Sequence, residues 1–149
     1  MTTKQQLETA LLDAMRASDN VAKRTIRMVL TSIKLEEVAR HSSLDEAQVA
    51  AILHKEVKLR REAIEDAKKA KRPDLIADNE DEIRVLETFL PKQLSEAELN
   101  EMAQAVIAEI QATGIADMGK VMKALLPKIQ GQVPNELASQ VVRQLLMNK

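Results

Sequence analysis

The sequence predicts an all-α protein, with an elongated N-terminal helical part over residues 1–90 and a compact three-helix bundle over residues 94–149. Apolar residues recur at spacings of three and four in every long segment, which is the period of a helix with one buried face. No segment alternates polar and apolar residues over the length of a strand. The chain has only 3 glycines and 4 prolines, so the boundaries between helices are easy to place.

Two helices are predicted before residue 41. Thr3 and Gln6 have the spacing of a capping box and mark the start of the first helix, which ends near Ser18. Ser18 or Asp19 then caps the second helix, which runs to about Arg40. The apolar positions assigned to these helices are Leu7, Ala10, Leu11, Ala14, Val21, Met28, Val29, Ile33 and Val38.

The third and fourth helices are predicted after a polar loop. Asp45 and Gln48 form a second capping box, from which a long helix reaches about Lys71. Pro73 suits the first turn of the fourth helix, and Pro91 is expected to end it. Their apolar positions are Val49, Ile52, Leu53, Val57, Ile64, Leu75, Ile76, Ile83, Leu86 and Leu90.

Residues 91–93 are predicted to separate the two parts of the chain. Ser95 and Glu98 repeat the capping signal immediately afterwards, so a new helix begins there. Gly114 is expected to end this helix, since glycine readily adopts the left-handed backbone conformation of many helix ends. A final helix begins near Pro134. The core positions of these two helices are Leu99, Met102, Ala103, Val106, Ile110, Leu137, Val141 and Leu145.

The stretch from Asp117 to Pro127 is predicted to be one short helix that Asp117 caps and Pro127 stops. Gly119 is unusual inside it, because glycine costs about 1 kcal/mol relative to alanine in a helix. Two explanations stay open: close packing against another helix, or a binding partner that approaches the backbone beside Lys120 and Lys123. The apolar face of this helix is Met118, Val121, Met122, Leu125 and Ile129.

Several short motifs of the chain resemble those of the GatB/YqeY-domain family. They are DMGKVM at 117–122, LPK at 126–128 with Gly131, RTIR at 24–27, EVKLRRE at 56–62 and LPKQLS at 90–95. The resemblance covers essentially the whole chain. It therefore points to a free-standing YqeY-like protein, and not to a fragment of the amidotransferase whose B subunit carries a similar tail.

That amidotransferase acts on misacylated tRNA. The resemblance implies a tRNA-associated role, accessory to amidation by a carbon–nitrogen ligase with glutamine as the amido-N-donor. It also implies a partner from the tRNA aminoacylation or amidation machinery. The residues expected to contact RNA phosphates are Gly119, Lys120, Lys123 and Lys128, with Lys58, Arg60 and Arg61 as a second choice.

The loop after Lys128 departs from the family pattern. The family commonly has a lysine before the glycine and a basic residue after it, followed by a small residue and an aspartate. This chain has Gln130, Gln132, Val133 and Pro134 at those places. Two positive charges are absent, which weakens any phosphate contact expected from this loop.

Charge is segregated along the chain, with residues 16–34 and 54–72 net positive and residues 74–87 net negative. One interpretation is that these charges face each other between neighbouring helices. The other is a basic ridge on the second and third helices that meets RNA phosphates. With one Phe and no Trp or Tyr, the chain has almost no surface on which bases stack, so RNA would be held through its phosphates and shape.

Composition argues against several kinds of site. Cysteine is absent, and neither His41 nor His54 has a second ligand at metal-binding spacing. The acidic run at 79–82 lacks the glycine of a calcium loop, so no metal and no cofactor are expected. No apolar run approaches the ~20 residues of a membrane span, and residues 1–6 contain no apolar signal core. No membrane association and a cytoplasmic location are therefore expected.

No catalytic residue is assigned. The sequence has no Gly-x-Ser-x-Gly turn and no glycine-rich phosphate loop. Amide-transfer chemistry needs an activated nucleophile and a group of donors for the oxyanion, and neither can be identified. A non-catalytic tRNA-associated module is the first hypothesis. A protein–protein adaptor that uses the long N-terminal helices is the alternative, and an autonomous glutamine-dependent ligase is disfavoured.

Overall fold

The computed structural model describes all residues from Met1 to Lys149 and contains seven α-helices and no strand, which confirms the all-α prediction. No helix is both long enough and apolar enough to cross a lipid bilayer. The helices are α1 (Thr3–Arg16), α2 (Asn20–Arg40), α3 (Glu46–Lys69), α4 (Pro73–Glu87), α5 (Glu96–Ile110), α6 (Met118–Ile129) and α7 (Asn135–Met147), and a 3₁₀ turn (Ile115–Asp117) directly precedes α6.

The chain divides into two compact units, Met1–Pro91 and Lys92–Lys149. In the first unit α2 contacts α1, α3 and α4, and α3 also packs along α4. The apolar side chains of all four helices meet in one core, which makes the unit self-contained. Its buried members are Leu7, Ile26, Val29, Ile33, Val49, Leu53, Val57 and Leu86.

The second unit has its own core, to which α5, α6 and α7 contribute one face each. Every pair of these helices is in contact, so the three form a closed bundle. The buried side chains are Leu99, Ala103, Val106, Ile107, Ala112, Val121, Leu125, Ile129, Val133, Ala138, Val142 and Leu146.

The predicted starts of α2, α3 and α5 are confirmed, because in each case an expected polar side chain caps the first turn. Asp45 Oδ1 accepts from the backbone N–H of Gln48 at 2.8 Å, and Gln48 Oε1 accepts from the N–H of Asp45 at 2.9 Å. Ser95 Oγ accepts a first-turn N–H of α5 at 3.1 Å. Asp19, and not Ser18, caps α2. Each cap satisfies an N–H group that the helix leaves without a partner.

The start of α1 was predicted one residue too late. The capping box is formed by Thr2 and Gln5, and not by Thr3 and Gln6. The hydroxyl of Thr3 instead donates to Glu46 Oε2 at 2.6 Å, and its N–H also reaches that carboxylate. Thr3 therefore contacts the first turn of α3, while Thr2 acts as the cap.

Several helix ends also differ from the prediction. Gln111, and not Gly114, has the left-handed backbone after α5, with φ of 58°, while Gly114 is extended. Lys71, with φ of 56°, lies beyond the end of α3. The helices α1 and α4 end earlier than expected, at Arg16 and Glu87. Residues other than glycine can adopt this conformation singly at a cost of about 1–2 kcal/mol, as Gln111 and Lys71 do, so glycine alone does not locate helix ends.

The apolar faces were predicted correctly along most of the chain, with exceptions in α2, α4 and α7. Met28 and Val38 of α2 and Leu75 of α4 are exposed, while Ile26, which was not assigned, is buried. In α7 the most buried line lies one residue later than predicted. Ala138, Val142 and Leu146 are fully buried, whereas Leu137, Val141 and Leu145 are partly buried beside them.

Candidate nucleic-acid interface

The DMGKVM motif lies at the start of α6, where Asp117 has a different role from the predicted cap. Its carboxylate makes no capping hydrogen bond to α6. Instead Oδ2 accepts from the N–H of Thr113 at 2.9 Å and from the Thr113 hydroxyl at 3.3 Å. The hydrogen bond from the Thr113 N–H is the main reason that the pKa of Asp117 lies below its ordinary value, and the charge of Lys120 contributes less. Asp117 therefore closes the loop between α5 and α6.

Pro127 lies inside α6 and does not stop it, because the helix continues to Ile129. Proline has no N–H, so the carbonyl of Lys123 receives no hydrogen bond from position 127. Pro127 is exposed, which leaves its ring on the solvent side of the helix. The predicted stop is therefore wrong, and α6 extends two residues beyond it.

We call the exposed side of this helix, formed by Gly119, Lys120, Lys123 and Pro127, the outer α6 face. Spacings of three and four residues place these positions along one side of a helix, and all four are exposed. The opposite side supplies three fully buried residues, Val121, Leu125 and Ile129. Burial of that apolar side fixes which way α6 faces, and it directs the two lysines into solvent.

Gly119 faces open space. A Cβ atom added there would meet no other atom within 4 Å. The first explanation for this glycine, close packing against another helix of the chain, is therefore wrong. The backbone at Gly119 is accessible next to the ammonium groups of Lys120 and Lys123, as approach of an external group requires.

Charge in the second unit is divided between helices. The helix α6 carries three lysines and no acidic residue, whereas α5 carries four glutamates and no basic residue. Lys120 Nζ lies 3.9 Å from Asp117 Oδ1, and Lys123 lies within ion-pair distance of no carboxylate. Because the bundle packs α5 beside α6, the two helices present opposite charge on one small body.

Lys128 does not extend the outer α6 face. Its Nζ is 3.5 Å from Glu109 Oε2 of α5, so it bridges the two helices on another side. One residue after Pro127 corresponds to a rotation of about 100° around the helix axis. Of the lysines expected to contact phosphate, the fold places Lys120 and Lys123 together and Lys128 apart from them.

The second predicted surface, on α3, is split by burial. Arg60 is only 6% exposed, and its Nη1 donates to Glu56 Oε2 at 2.7 Å. Its Nη2 lies 3.5 Å from Glu82 Oε1 of α4, and Arg24 of α2 approaches the same oxygen at 4.0 Å. Arg60 is therefore part of an internal charge network that joins three helices, and it does not present its guanidinium to a ligand.

The neighbours of Arg60 remain at the surface. Arg61 is exposed and lies 3.5 Å from Glu87 of α4, and Lys58 is also exposed. The pairs from α4 to α2 and α3 support the interpretation in which opposite charges face each other between helices. They also reduce the positive charge that a ridge on α3 offers to RNA.

A signal for the burial of Arg60 is present in the sequence. Val57 precedes it by three residues and Ile64 follows it by four, which places all three on one helical face. Val57 and Ile64 are both core residues of α3. An arginine in register with a core face, near acidic partners, indicates a buried ion pair better than a phosphate contact.

The loop between α6 and α7 is held by contacts inside the unit. Gly131 has φ of 76°, and its carbonyl accepts from Gln93 Nε2 at 3.0 Å. The carbonyl of Gln132 accepts from the N–H of Leu94 at 3.0 Å, and Val133 is buried. This loop ties the beginning of the second unit to the bundle.

No group of three or more histidine, cysteine, aspartate or glutamate side chains is arranged to hold a metal ion.

The sequence pattern of the family described as Yqey-like protein matches residues 4–146, which is nearly the whole chain.

The chain is also similar to fungal proteins named "Altered inheritance of mitochondria protein 41, mitochondrial". The protein from Kluyveromyces lactis is 37% identical over 84 residues, covering 56% of this chain and 45% of the relative. The protein from Eremothecium gossypii is 34% identical over 131 residues, covering 85% and 67%. The chain spans about half the length of the first curated relatives it matches.

The names of these relatives contradict the cytoplasmic location expected from the sequence, because they point to mitochondria. The expectation used the missing apolar signal core. Mitochondrial targeting segments are amphipathic and rich in arginine and serine, so an apolar core is not the feature that distinguishes the two locations.

Proposed function

This chain belongs to the YqeY-like protein family, and from that membership we propose that it is a non-catalytic, tRNA-associated helical module. In this proposal the outer α6 face holds RNA phosphates. The protein serves as an accessory to glutamine-dependent tRNA amidation, beside a protein of the aminoacylation or amidation machinery.

The observation that carries the proposal is the open backbone at Gly119 beside two exposed lysines, Lys120 and Lys123. A phosphate can approach this part of the helix more closely than one covered by side chains, because no Cβ is in the way. Lys120 and Lys123 supply positive charge next to that point. The helix α6 itself contains no acidic residue, although the Asp117 carboxylate before it lies 3.9 Å from Lys120 Nζ.

The chemistry of this surface suits RNA shape and charge better than base recognition. It contains ammonium groups, which act as point charges toward phosphate, and no arginine or aromatic side chain. The whole chain contains a single Phe and no Trp or Tyr. Contacts of this kind position a folded RNA without reading its sequence directly.

The non-catalytic part of the proposal has its own test. No cysteine or serine-centred group of the kind that hydrolyses glutamine can be identified in the chain. The pure protein is therefore expected to release no ammonia from glutamine above the level of a heat-inactivated sample. Sustained release that depends on the folded protein would contradict this assignment.

The RNA contact is tested with the double variant Lys120→Glu with Lys123→Glu. Binding of purified tRNA should weaken, and the slope of log affinity against log salt should flatten by about 0.7–0.9 for each phosphate that the variant no longer neutralises. The free energy of unfolding should change by less than about 0.5 kcal/mol, because both side chains are exposed.

The matched control is Lys92→Glu with Lys149→Glu, which makes the same change in net charge at exposed positions off the outer α6 face. If both double variants bind tRNA equally weakly, net charge and not this face is responsible. If both bind as tightly as the unmodified protein, the remaining predicted basic residues are Lys58 and Arg61 of α3, since Arg60 is buried. Either result excludes the outer α6 face.

The adaptor function remains the second candidate. The observation that favours it is an exposed apolar line on α2, which no other part of the first unit covers.

A further inference from the structure

The outward side of α2 carries a line of exposed apolar side chains. Met28 is 50% exposed, Leu35 66% and Val38 59%. Spacings of seven and three residues keep them on one side of the helix, over about 15 Å along its axis. Single exposed apolar residues are common on any protein, but a line of them on one helix is typical of a surface that binds another molecule.

The line continues onto α3. Ser32 Oγ donates to Glu56 Oε1 at 3.4 Å, and Arg60 Nη2 lies 3.6 Å from Met28 Sδ, so these parts of α2 and α3 run side by side. Leu59 follows Glu56 by one helical turn and is 47% exposed. We call Met28, Leu35, Val38 and Leu59 the α2 apolar line.

On α2 the unpaired charges beside this line are positive. Arg27 and Lys34 are exposed, and spacings of eleven and four residues place them on the same side of the helix as Val38. Neither lies within ion-pair distance of a carboxylate in the chain. The only acidic residues of α2, Glu36 and Glu37, are occupied by Arg40 at 2.6 Å and Lys4 at 3.0 Å.

We infer that the α2 apolar line, with Arg27 and Lys34, docks an acidic amphipathic helix of a protein partner. The apolar face of such a helix lies along the line, and its flanking carboxylates meet the two basic side chains. This inference is independent of the RNA contact proposed for α6, because it uses a different unit and a different chemistry.

Three other occupants fit this surface less well. A second copy that pairs α2 with α2 brings Arg27 and Lys34 opposite like charges. Membrane-surface helices bury Trp, Phe and Leu in lipid, and α2 contains no aromatic residue. RNA gains nothing from contact with exposed leucine and valine side chains, since its binding depends on phosphate charge and base stacking.

The test places a photo-reactive benzoylphenylalanine at Thr31 in the full-length protein, in cells of the source organism. Thr31 is exposed and lies between Met28 and Leu35, so the probe leaves the apolar line intact. The expected adduct is a peptide segment rich in Asp and Glu with helical apolar periodicity. The same probe at exposed Gln144, in the second unit, is the matched control and should not give this adduct.

The crosslinked segment is then synthesised and its affinity for the pure protein is measured. Leu35→Asp and Lys34→Glu should each weaken binding by about tenfold, a loss typical of a residue at the centre of an interface. Lys92→Glu should leave it unchanged, and circular dichroism checks that every variant is folded. The inference would be overturned by an adduct with lipid, RNA or a second copy of this chain, or by the absence of any adduct. It would also be overturned if the Leu35→Asp and Lys34→Glu variants bound the segment as tightly as the unmodified protein.

Discussion

At the scale of single residues, burial decides what a charged side chain does. Arg60 and Arg61 are neighbours in a basic motif, yet Arg60 is buried against Glu56 and Glu82 while Arg61 is exposed. The Nε of Arg60 is buried without a hydrogen-bond partner. Buried charges of this kind are costly to leave unpaired, so the network holds α2, α3 and α4 in one arrangement.

We predict that Arg60→Ala destabilises the first unit by about 3–5 kcal/mol, because it leaves Glu56 and Glu82 without their shared partner. Arg61→Ala, at the adjacent exposed position, should change the free energy of unfolding by less than about 0.5 kcal/mol. Urea denaturation of both variants measures the difference. Similar small effects in the two variants would show that Arg60 has no structural role.

A single substitution also tests whether phosphate approaches the backbone at Gly119 of α6. Gly119→Ala should raise the free energy of unfolding by about 1 kcal/mol, because alanine is the better helix former and a Cβ meets nothing at this position. The added methyl group should at the same time lower the affinity for tRNA, if phosphate approaches the backbone there. A more stable variant with unchanged tRNA affinity would mean that the lysines alone make the contact.

At the scale of helices, the sequence predicted starts better than ends. Caps at Asp45 and Ser95 depend on side chains within one turn of each other, so local sequence determines them. Gly114 was expected to end α5, but Gln111 takes the left-handed conformation instead. Pro127 was expected to end α6, but the packed face of that helix continues past the proline.

In the candidate site, the exposure of Lys120 and Lys123 followed from helical periodicity. The contact of Asp117 with Thr113 did not, since it depends on how the preceding loop folds.

Glu37 joins three helical segments and makes stability depend on pH. Its carboxylate accepts from Lys4 Nζ of α1 at 3.0 Å and from the N–H of Leu44, before α3, at 3.1 Å. The hydrogen bond from Lys4 is the main reason that the pKa of Glu37 lies below its ordinary value of 4.5, followed by that from Leu44. A lowered pKa in the folded state means that the ionised form is preferred by folding.

The stabilisation from Glu37 should therefore be complete above pH 4.5 and disappear as the pH falls through the lower folded pKa. Glu37→Gln should reduce stability at neutral pH and flatten the loss of stability below pH 4.5. Glu8→Gln, on the exposed side of α1, is the control and should follow the unmodified protein. Denaturation midpoints between pH 3 and 7 measure both; a Glu37→Gln profile parallel to that of the unmodified protein would exclude this linkage.

At the scale of the whole molecule, the two units have separate cores and different surface charges. The first unit pairs basic side chains of α2 and α3 with acidic side chains of α4, and it leaves an apolar line on α2. The second unit has a basic helix beside an acidic one. The proposed RNA contact and the proposed protein contact therefore lie on different units.

We predict that residues 92–149 fold on their own, because their core includes no residue of the first unit. The fragment must keep Gln93 and Leu94, whose hydrogen bonds to the carbonyls of Gly131 and Gln132 tie its start to the α6–α7 loop. A fragment of 92–149 should be helical and unfold cooperatively. A fragment of 96–149, without these hydrogen bonds and the Ser95 cap, should be less stable by at least about 1 kcal/mol. Circular dichroism during thermal unfolding distinguishes them, and a non-cooperative 92–149 fragment would show that the second unit depends on the first.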